Sequence, residues 1–529
     1  MAQEQIYLRR ASGLTRKISV WDAAVYASAA PGPISAFIYI LWAPGLYPGA
    51  DMRYASLCLL LMLPIMALYY LFSVSMPRSG GEYVYVSRIL HPSLGLFANW
   101  ALTIIGFSWT GTLSSWTVTY GVAPLVYNAG LLYNDPGLKS LGISLSNLTY
   151  MPGWMLGLGV LCLSYLILWR GAKTAMKVFW GGIALTGVGL IAVIVASVTS
   201  SQAIFIDRLQ QLSGIAYQSQ IIQPAMSAGF TPGVFAVFAT VMAGATYINL
   251  NILGNTYTTN IAGEIKNVSK AQPLALFSSI GVFILYWGSL TYFMWINPGG
   301  NFWNAASILT NAGTSPFPML PVANQIVVYM TSNALLVHLA NIAAIAGTFA
   351  ALTGLSLGPI RNVFAWSFDR LIPQAFAKVD KRGSPYAAVA FGFGLAILFY
   401  VLYTLTTFLS FILYTITLWF VAWIVVGIAG ILFPYVKKDI FEKSPSVVKT
   451  KVAGVPLISI CGLATTIVSL FTVYFTTVPA ITGLTSLVNL ASTVVILALL
   501  PFVLYFTARV YRQRKGIDMA LQYKTLPPD

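Results

Sequence analysis

Apolar residues run through this chain in long blocks, and the charged residues gather in the short segments between them. A helix needs about 20 predominantly apolar residues to cross a bilayer. Read with a window of about 19 residues, the chain offers twelve such blocks: 20–44, 54–75, 94–127, 152–169, 174–199, 232–257, 273–297, 327–358, 385–405, 407–434, 454–477 and 486–508. Each is predicted to be helical, because a backbone in lipid must satisfy its N–H and C=O groups within its own segment. The almost continuous run 385–434 divides near Leu405–Leu409, since one helix of that length would overshoot any membrane. Two linkers, 200–231 and 298–326, carry short amphipathic stretches, Phe205–Leu212 and Asn301–Leu309, that read as interfacial helices.

Composition agrees with lipid as the main solvent. Of 529 residues, 58% are hydrophobic and 8% charged, with a mean hydropathy of +0.78. An ordinary soluble domain carries about 25% charged residues. A soluble enzyme, a disordered chain and a collagen-like chain are excluded on that ground. The net charge of +16 has a simple origin. With twelve spans, both tails share one side, which holds 26 of the 29 basic residues; the other side holds Arg53, Lys139 and Arg208. Basic residues accumulate in cytoplasmic loops, so both termini are expected in the cytoplasm of a multi-pass plasma-membrane protein. No nucleic-acid partner is expected. Cys58, Cys162 and Cys461 all fall in apolar runs, so they read as small core residues and no disulfide-linked subunit is expected.

Two spans contain residues that a straight membrane helix would avoid. The first reads Ala30-Pro31-Gly32-Pro33 at mid-span, where two residues lack an N–H and glycine adds freedom. The sixth reads Asn249-Leu-Asn-Ile-Leu-Gly-Asn255, and asparagine amides compete with backbone hydrogen bonds. Interrupted helices five spans apart are the pointer to two inverted five-helix repeats, 20–199 and 232–434. The linker 200–231 would lie outside, 435–508 would be accessory helices 11 and 12, and 1–19 and 509–529 would be cytoplasmic tails. A half-helix starting at mid-membrane offers amides to a carboxylate, and one ending there offers carbonyls to an ammonium or Na⁺. No Asp, Glu, Lys or Arg falls near the middle of any span, which suits a zwitterion.

Three further segments carry a family likeness: Met76-Pro-Arg-Ser-Gly-Gly-Glu-Tyr83, Ile261-Ala-Gly-Glu-Ile-Lys-Asn-Val-Ser-Lys-Ala-Gln-Pro273, and Arg361-Asn-Val-Phe-Ala-Trp-Ser-Phe-Asp-Arg-Leu-Ile-Pro373. In this order they resemble the motifs of the amino acid–polyamine–organocation (APC) superfamily, over roughly residues 18–435. Val268 stands where that family usually has proline. The resemblance implies an all-α polytopic membrane protein of twelve transmembrane helices with a LeuT-like 5+5 inverted repeat and broken helices 1 and 6. It implies a secondary transporter of an amino acid, neutral and zwitterionic, working by alternating access. It places the substrate carboxylate on donors at Gly32, Ile34 and Ser35, and the ammonium on carbonyls around Leu250, Leu253 and Gly254. Pro33 makes that donor set smaller than is usual.

Coupling is open between Na⁺, H⁺ and exchange, and no other cofactor or metal is expected. Proton-coupled relatives carry a lysine in span five; the matching position here is Thr186. Thr353 and Ser356 in span eight are candidates for a Na⁺ site beside the first break. His338 is the one group titrating near neutral pH placed inside a span. Softer candidates are a wet face of span three (Ser108, Trp109, Thr110, Thr112, Ser114, Ser115, Thr117), gating aromatics Tyr414 and Trp419, and an outer lid in 298–326. A polyamine or organocation permease of the same fold is the alternative, disfavoured because a second positive charge would want a buried carboxylate. A membrane-embedded enzyme finds no acid–base or metal-ligand constellation, and a nutrient sensor no long signalling tail.

Overall fold

The computed structural model describes residues 14, 16–406, 409–477, 494–524 and 526. Almost all the regular structure is helix; a two-residue hairpin, Lys451–Val452 with Val455–Pro456, is the sheet among the described residues. Nine helices there are long and apolar enough to cross a membrane. The core is mainly hydrophobic, yet large apolar side chains also cover the outside and several amides lie inside. Ile191, Leu285 and Val237 are exposed, while Asn99, Asn128, Asn260, Asn341 and Asn362 are fully buried. Apolar surface facing outward costs nothing in hydrocarbon, whereas buried amides must find partners inside.

The first span is broken as its prolines and glycine predict. Helix Val20–Ala29 begins at a Ser19/Asp22 capping box. It stops before Gly32, whose φ of +75° is left-handed. A 3₁₀ turn, Pro33–Ser35, then leads into helix Ala36–Leu46. The expected sixth span is not one helix. Helix Val237–Ala243 passes through a π turn and a short Asn249–Asn251 helix, then unwinds over 252–256 around Gly254, φ +107°.

Other boundaries differ from expectation for identifiable reasons. The block 327–358 is divided: helix Ala323–Met330 ends, and a new helix, Ala334–Phe368, starts where the Asn333 side chain accepts the amides of Leu335 and Leu336. The third span continues from Pro92 to Leu132 through a π turn at Thr117–Val122. Pro124 has no N–H for the carbonyl of Tyr120, which instead accepts from Asn324 Nδ2 at 2.9 Å. The linker helices form as Gln202–Ser213 and Gly300–Asn311. An additional helix, Pro136–Ser146, is started by Asp135, which caps Gly137 and Leu138. Cys461 is buried, but Cys58 and Cys162 are only half-buried.

The described chain ends share one face. Ile18 pairs in parallel with Ile265, and the Tyr523 hydroxyl lies 3.1 Å from that of Tyr83. On this face Tyr83 OH donates to Asp369 Oδ2 at 2.7 Å and Arg361 Nε to Glu264 Oε1 at 2.6 Å, so all three motif segments meet there. It is also the face where the basic loops gather.

Candidate functional site

The two breaks meet. A Cβ placed on Gly254 would stand 3.7 Å from Pro31 N and 2.8 Å from Leu355 Cδ2. One placed on Gly32 would stand 2.7 Å from Ala351 Cβ, and one on Gly354 would stand 2.6 Å from Ala30 Cα. Glycines at 32 and 254, and a glycine in the facing helix Ala334–Phe368, are therefore what let three backbones close on one point.

Between the breaks lies a narrow cavity lined by Pro31, Ser35, Tyr39, Trp109, Leu113, Trp116, Asn251, Leu253, Leu355 and Trp419. Among the described residues, no ionisable acid or base other than the Tyr39 phenol lines it. Away from the basic face, Tyr39 packs against Tyr247 (5.4 Å) and Trp116 (6.2 Å). Toward it, Trp419 packs on Tyr257 (5.6 Å), whose hydroxyl is held by Leu102 O at 2.6 Å. Aromatic walls of this kind favour an apolar occupant.

Backbone polarity at the breaks is complementary. Helix Ala36–Leu46 presents its N-terminal end, and the Asn249–Asn251 segment its C-terminal end. The 3₁₀ turn consumes the Ser35 amide, which donates to Gly32 O at 3.0 Å, and the Ser35 hydroxyl, which donates to the same oxygen at 2.6 Å. The Gly32 and Ile34 amides are not consumed by that turn. Ser35 thus lines the cavity with its donors already engaged. The Ile34 side chain turns away toward Gly347, close to the Thr186 hydroxyl. Leu253 lines the cavity; the side chain of Leu250, like that of Tyr414, lies outside the described residues.

A model of the amino acid permease family matches residues 18–502. The chain belongs to that family. The permease match runs beyond residue 435, where the motif likeness fades, and takes in helix Leu457–Thr477. The branched-chain amino acid permease BcaP of Lactococcus lactis subsp. cremoris (strain MG1363) is 24% identical over 353 residues, or 64% of this chain. The aligned part spans 65% of that relative's length. The family matched is one of permeases, not of enzymes.

The residues singled out for ion coupling in this permease do not come together. Thr353 Oγ1 donates to Phe349 O in its own helix and meets Ser164 Oγ at 3.0 Å. Ser356 Oγ meets Thr110 Oγ1 at 2.9 Å and Tyr165 OH at 3.0 Å. Both hydroxyls face the third and fourth spans, while Ala351, Gly354 and Leu355 of the same helix face the breaks. His338 sits one turn into its helix, at the end far from the basic face, with Nε2 3.0 Å from Tyr133 OH. In span three the hydroxyls of Ser108, Thr112, Ser114 and Thr117 donate to their own helix, while that of Thr110 also meets Ser356. Trp109, Leu113 and Trp116, spaced i, i+4, i+7, line the cavity instead. That spacing was visible in the sequence, but it could not show which neighbour the face would meet.

A second polar assembly closes the permease on its basic face. Arg361 Nε donates to Glu264 Oε1 at 2.6 Å, and Arg88 Nη1 pairs with Asp369 Oδ2 at 2.8 Å; all four side chains are buried. Glu82 is fully buried with amide rather than cationic partners, Asn99 Nδ2 at 2.6 Å and Asn260 Nδ2 at 3.4 Å. Asn260 also bonds Asn362, which donates to Thr103 Oγ1 at 2.9 Å. Burial is the largest influence on the Glu82 carboxyl and pushes it up to about 7.

Proposed function

We propose that this permease is a secondary transporter of neutral, zwitterionic amino acids with apolar side chains. The meeting of two opposed helix breaks at a cavity lined by aromatics and free of charged side chains carries this reading. The substrate carboxylate takes the amides of Gly32 and Ile34, with Ser35 shaping the turn that presents them. The ammonium takes carbonyls around Leu250, Leu253 and Gly254. The side chain lies among Tyr39, Trp109, Leu113, Trp116 and Trp419. A carboxylate–ammonium pair bridges both breaks, so it favours states in which the two come together, which is the differential affinity alternating access needs.

In this reading the helices form twelve spans in two inverted sets of five plus two, with both termini in the cytoplasm. The relative's printed substrate, branched-chain amino acids, matches the apolar wall. A polyamine is the poorer occupant, because no carboxylate lines the cavity to hold its second charge. Na⁺ coupling near Thr353 and Ser356 would require those hydroxyls to leave their present partners. Proton coupling, through His338 or elsewhere, and exchange are the other modes.

Proteoliposome uptake of a labelled amino-acid panel, with Na⁺ and pH gradients imposed separately, tests the assignment. Accumulation of leucine, isoleucine, valine or phenylalanine, without arginine, glutamate or putrescine, is the expected result. Preference for a charged solute would overturn it.

A further inference from the structure

On the basic face, three segments border an open cleft lined by Lys17, Arg170, Lys173, Lys177, Lys381 and Arg382 together with Glu264. Each segment is held in place. Ile18 N donates to Glu264 O at 3.0 Å and Lys266 N to Ile18 O at 3.0 Å, which fixes Lys17 at one wall. The turn between helices Met151–Trp169 and Ala172–Val198 pivots on Gly171, φ +98°, and brings Arg170, Lys173 and Lys177 to the second. The loop bearing Lys381 and Arg382 is closed by Asp380, whose Oδ1 accepts the amides of Arg382 (2.9 Å) and Ser384 (2.8 Å). Ser384 Oγ then donates to Leu168 O at 3.3 Å, joining the second and third walls.

The carboxylates nearby are already engaged. Glu264 holds Arg361, Asp380 holds its own loop, and Asp22, within electrostatic reach of Lys173, caps the first helix and accepts Trp180 Nε1 at 3.0 Å. Six cations therefore converge on one concavity; Glu264 is neutralised by Arg361, which leaves Asp22 and Asp380 as the acids set against them in the three bordering segments among the described residues. Trp21, Trp169 and Trp180, all exposed, stand on the helices that border it. Exposed tryptophans mark headgroup level, which puts the cleft beside lipid phosphates rather than in bulk solvent.

We propose that this cleft binds the phosphate headgroup of an anionic phospholipid. Bound there, the headgroup ties the amino-terminal segment to both loops directly over the Glu264–Arg361 pair and so favours closure of the basic face.

The test is native mass spectrometry of the full-length permease titrated with short-chain phosphatidylglycerol, with phosphatidylcholine as reference. The wild type is expected to prefer phosphatidylglycerol. The triple variant Lys173→Gln/Lys381→Gln/Arg382→Gln should lose roughly a hundredfold in that affinity, about fivefold per basic residue removed. The triple Lys443→Gln/Lys449→Gln/Lys451→Gln, with the same change in charge at the same face, should keep it. Unchanged phosphatidylcholine binding reports intact folding, and the single variants Lys173→Gln and Arg382→Gln, about fivefold each, serve if the triple does not fold. Equal loss in both triples, or loss in neither, overturns the site. Inorganic pyrophosphate binding as tightly as phosphatidylglycerol overturns the lipid as its source. The readout is lipid binding, so it stands or falls apart from the substrate assignment.

Discussion

Arg361, near the basic end of the Ala334–Phe368 helix, donates from Nε to Glu264 Oε1 at 2.6 Å and from Nη2 to Glu264 Oε2 at 3.2 Å. This two-point contact joins the helix that packs on both breaks to the segment that follows the second. Glu264 is in turn continuous with the Ile18–Ile265 pairing. Three separate stretches of chain are thereby latched at one point on the basic face.

Removing one partner of a buried pair leaves the other charge uncompensated, at a cost of about 3–5 kcal/mol. Arg361→Ala is expected to lower the thermal midpoint by several degrees and to reduce uptake. Arg361→Lys keeps charge but not the fork, and should fall between. A differential scanning fluorimetry series alongside uptake measures this; a midpoint unchanged in Arg361→Ala would count against the latch.

Gly32→Ala should be severely impaired for two separable reasons. Its φ of +75° disfavours any Cβ, and the new methyl would lie 2.7 Å from Ala351 Cβ. Gly32→Ala/Ala351→Gly relieves the second and not the first. Substrate affinity in the double variant should recover in part only, since left-handed backbone costs an alanine about 1–2 kcal/mol. Full recovery would mean the left-handed turn is dispensable.

Leu113→Trp is expected to fill the cavity between Trp109 and Trp116. Leucine and phenylalanine uptake should fall by more than tenfold, a loss of roughly 1.4 kcal/mol or more, while alanine is affected least. A uniform loss across side-chain sizes would place the side-chain pocket elsewhere.

Glu82 gives the account a pH dependence. Burial raises its carboxyl from an ordinary 4.5 to about 7, so the closed form holds the proton more tightly than a hydrated one does. A raised carboxyl favours the closed, folded form at low pH, and that advantage is lost as pH climbs from 4.5 to about 7. The effect is at most on the order of 3 kcal/mol. Thermal midpoints across this window should decline in the wild type and stay flatter in Glu82→Gln. Parallel profiles would show that Glu82 does not titrate in the closed form.

The sequence made the breaks legible because Pro31, Gly32, Pro33 and the asparagine run are local features whose effect on a helix needs no partner. The linker helices were legible for similar reasons. The split at Asn333 was readable as a helix cap but was masked by apolar residues on both sides. The π turn before Pro124 depends on Asn324, some 200 residues away in sequence. Thr353 and Ser356 are legible as hydroxyls at helical spacing, and only packing reveals that they face Ser164, Thr110 and Tyr165. Periodicity gives a helix its faces; it does not say which neighbour each face meets.

The central claim is that one break holds a carboxylate and the other an ammonium, and competition for labelled leucine tests it most directly. Unlabelled leucine should compete, while N-acetyl-leucine, which lacks the ammonium, and leucinamide, which lacks the carboxylate, should each fail to. Competition by either blocked analogue at leucine's own concentration would contradict a site built from the two helix breaks.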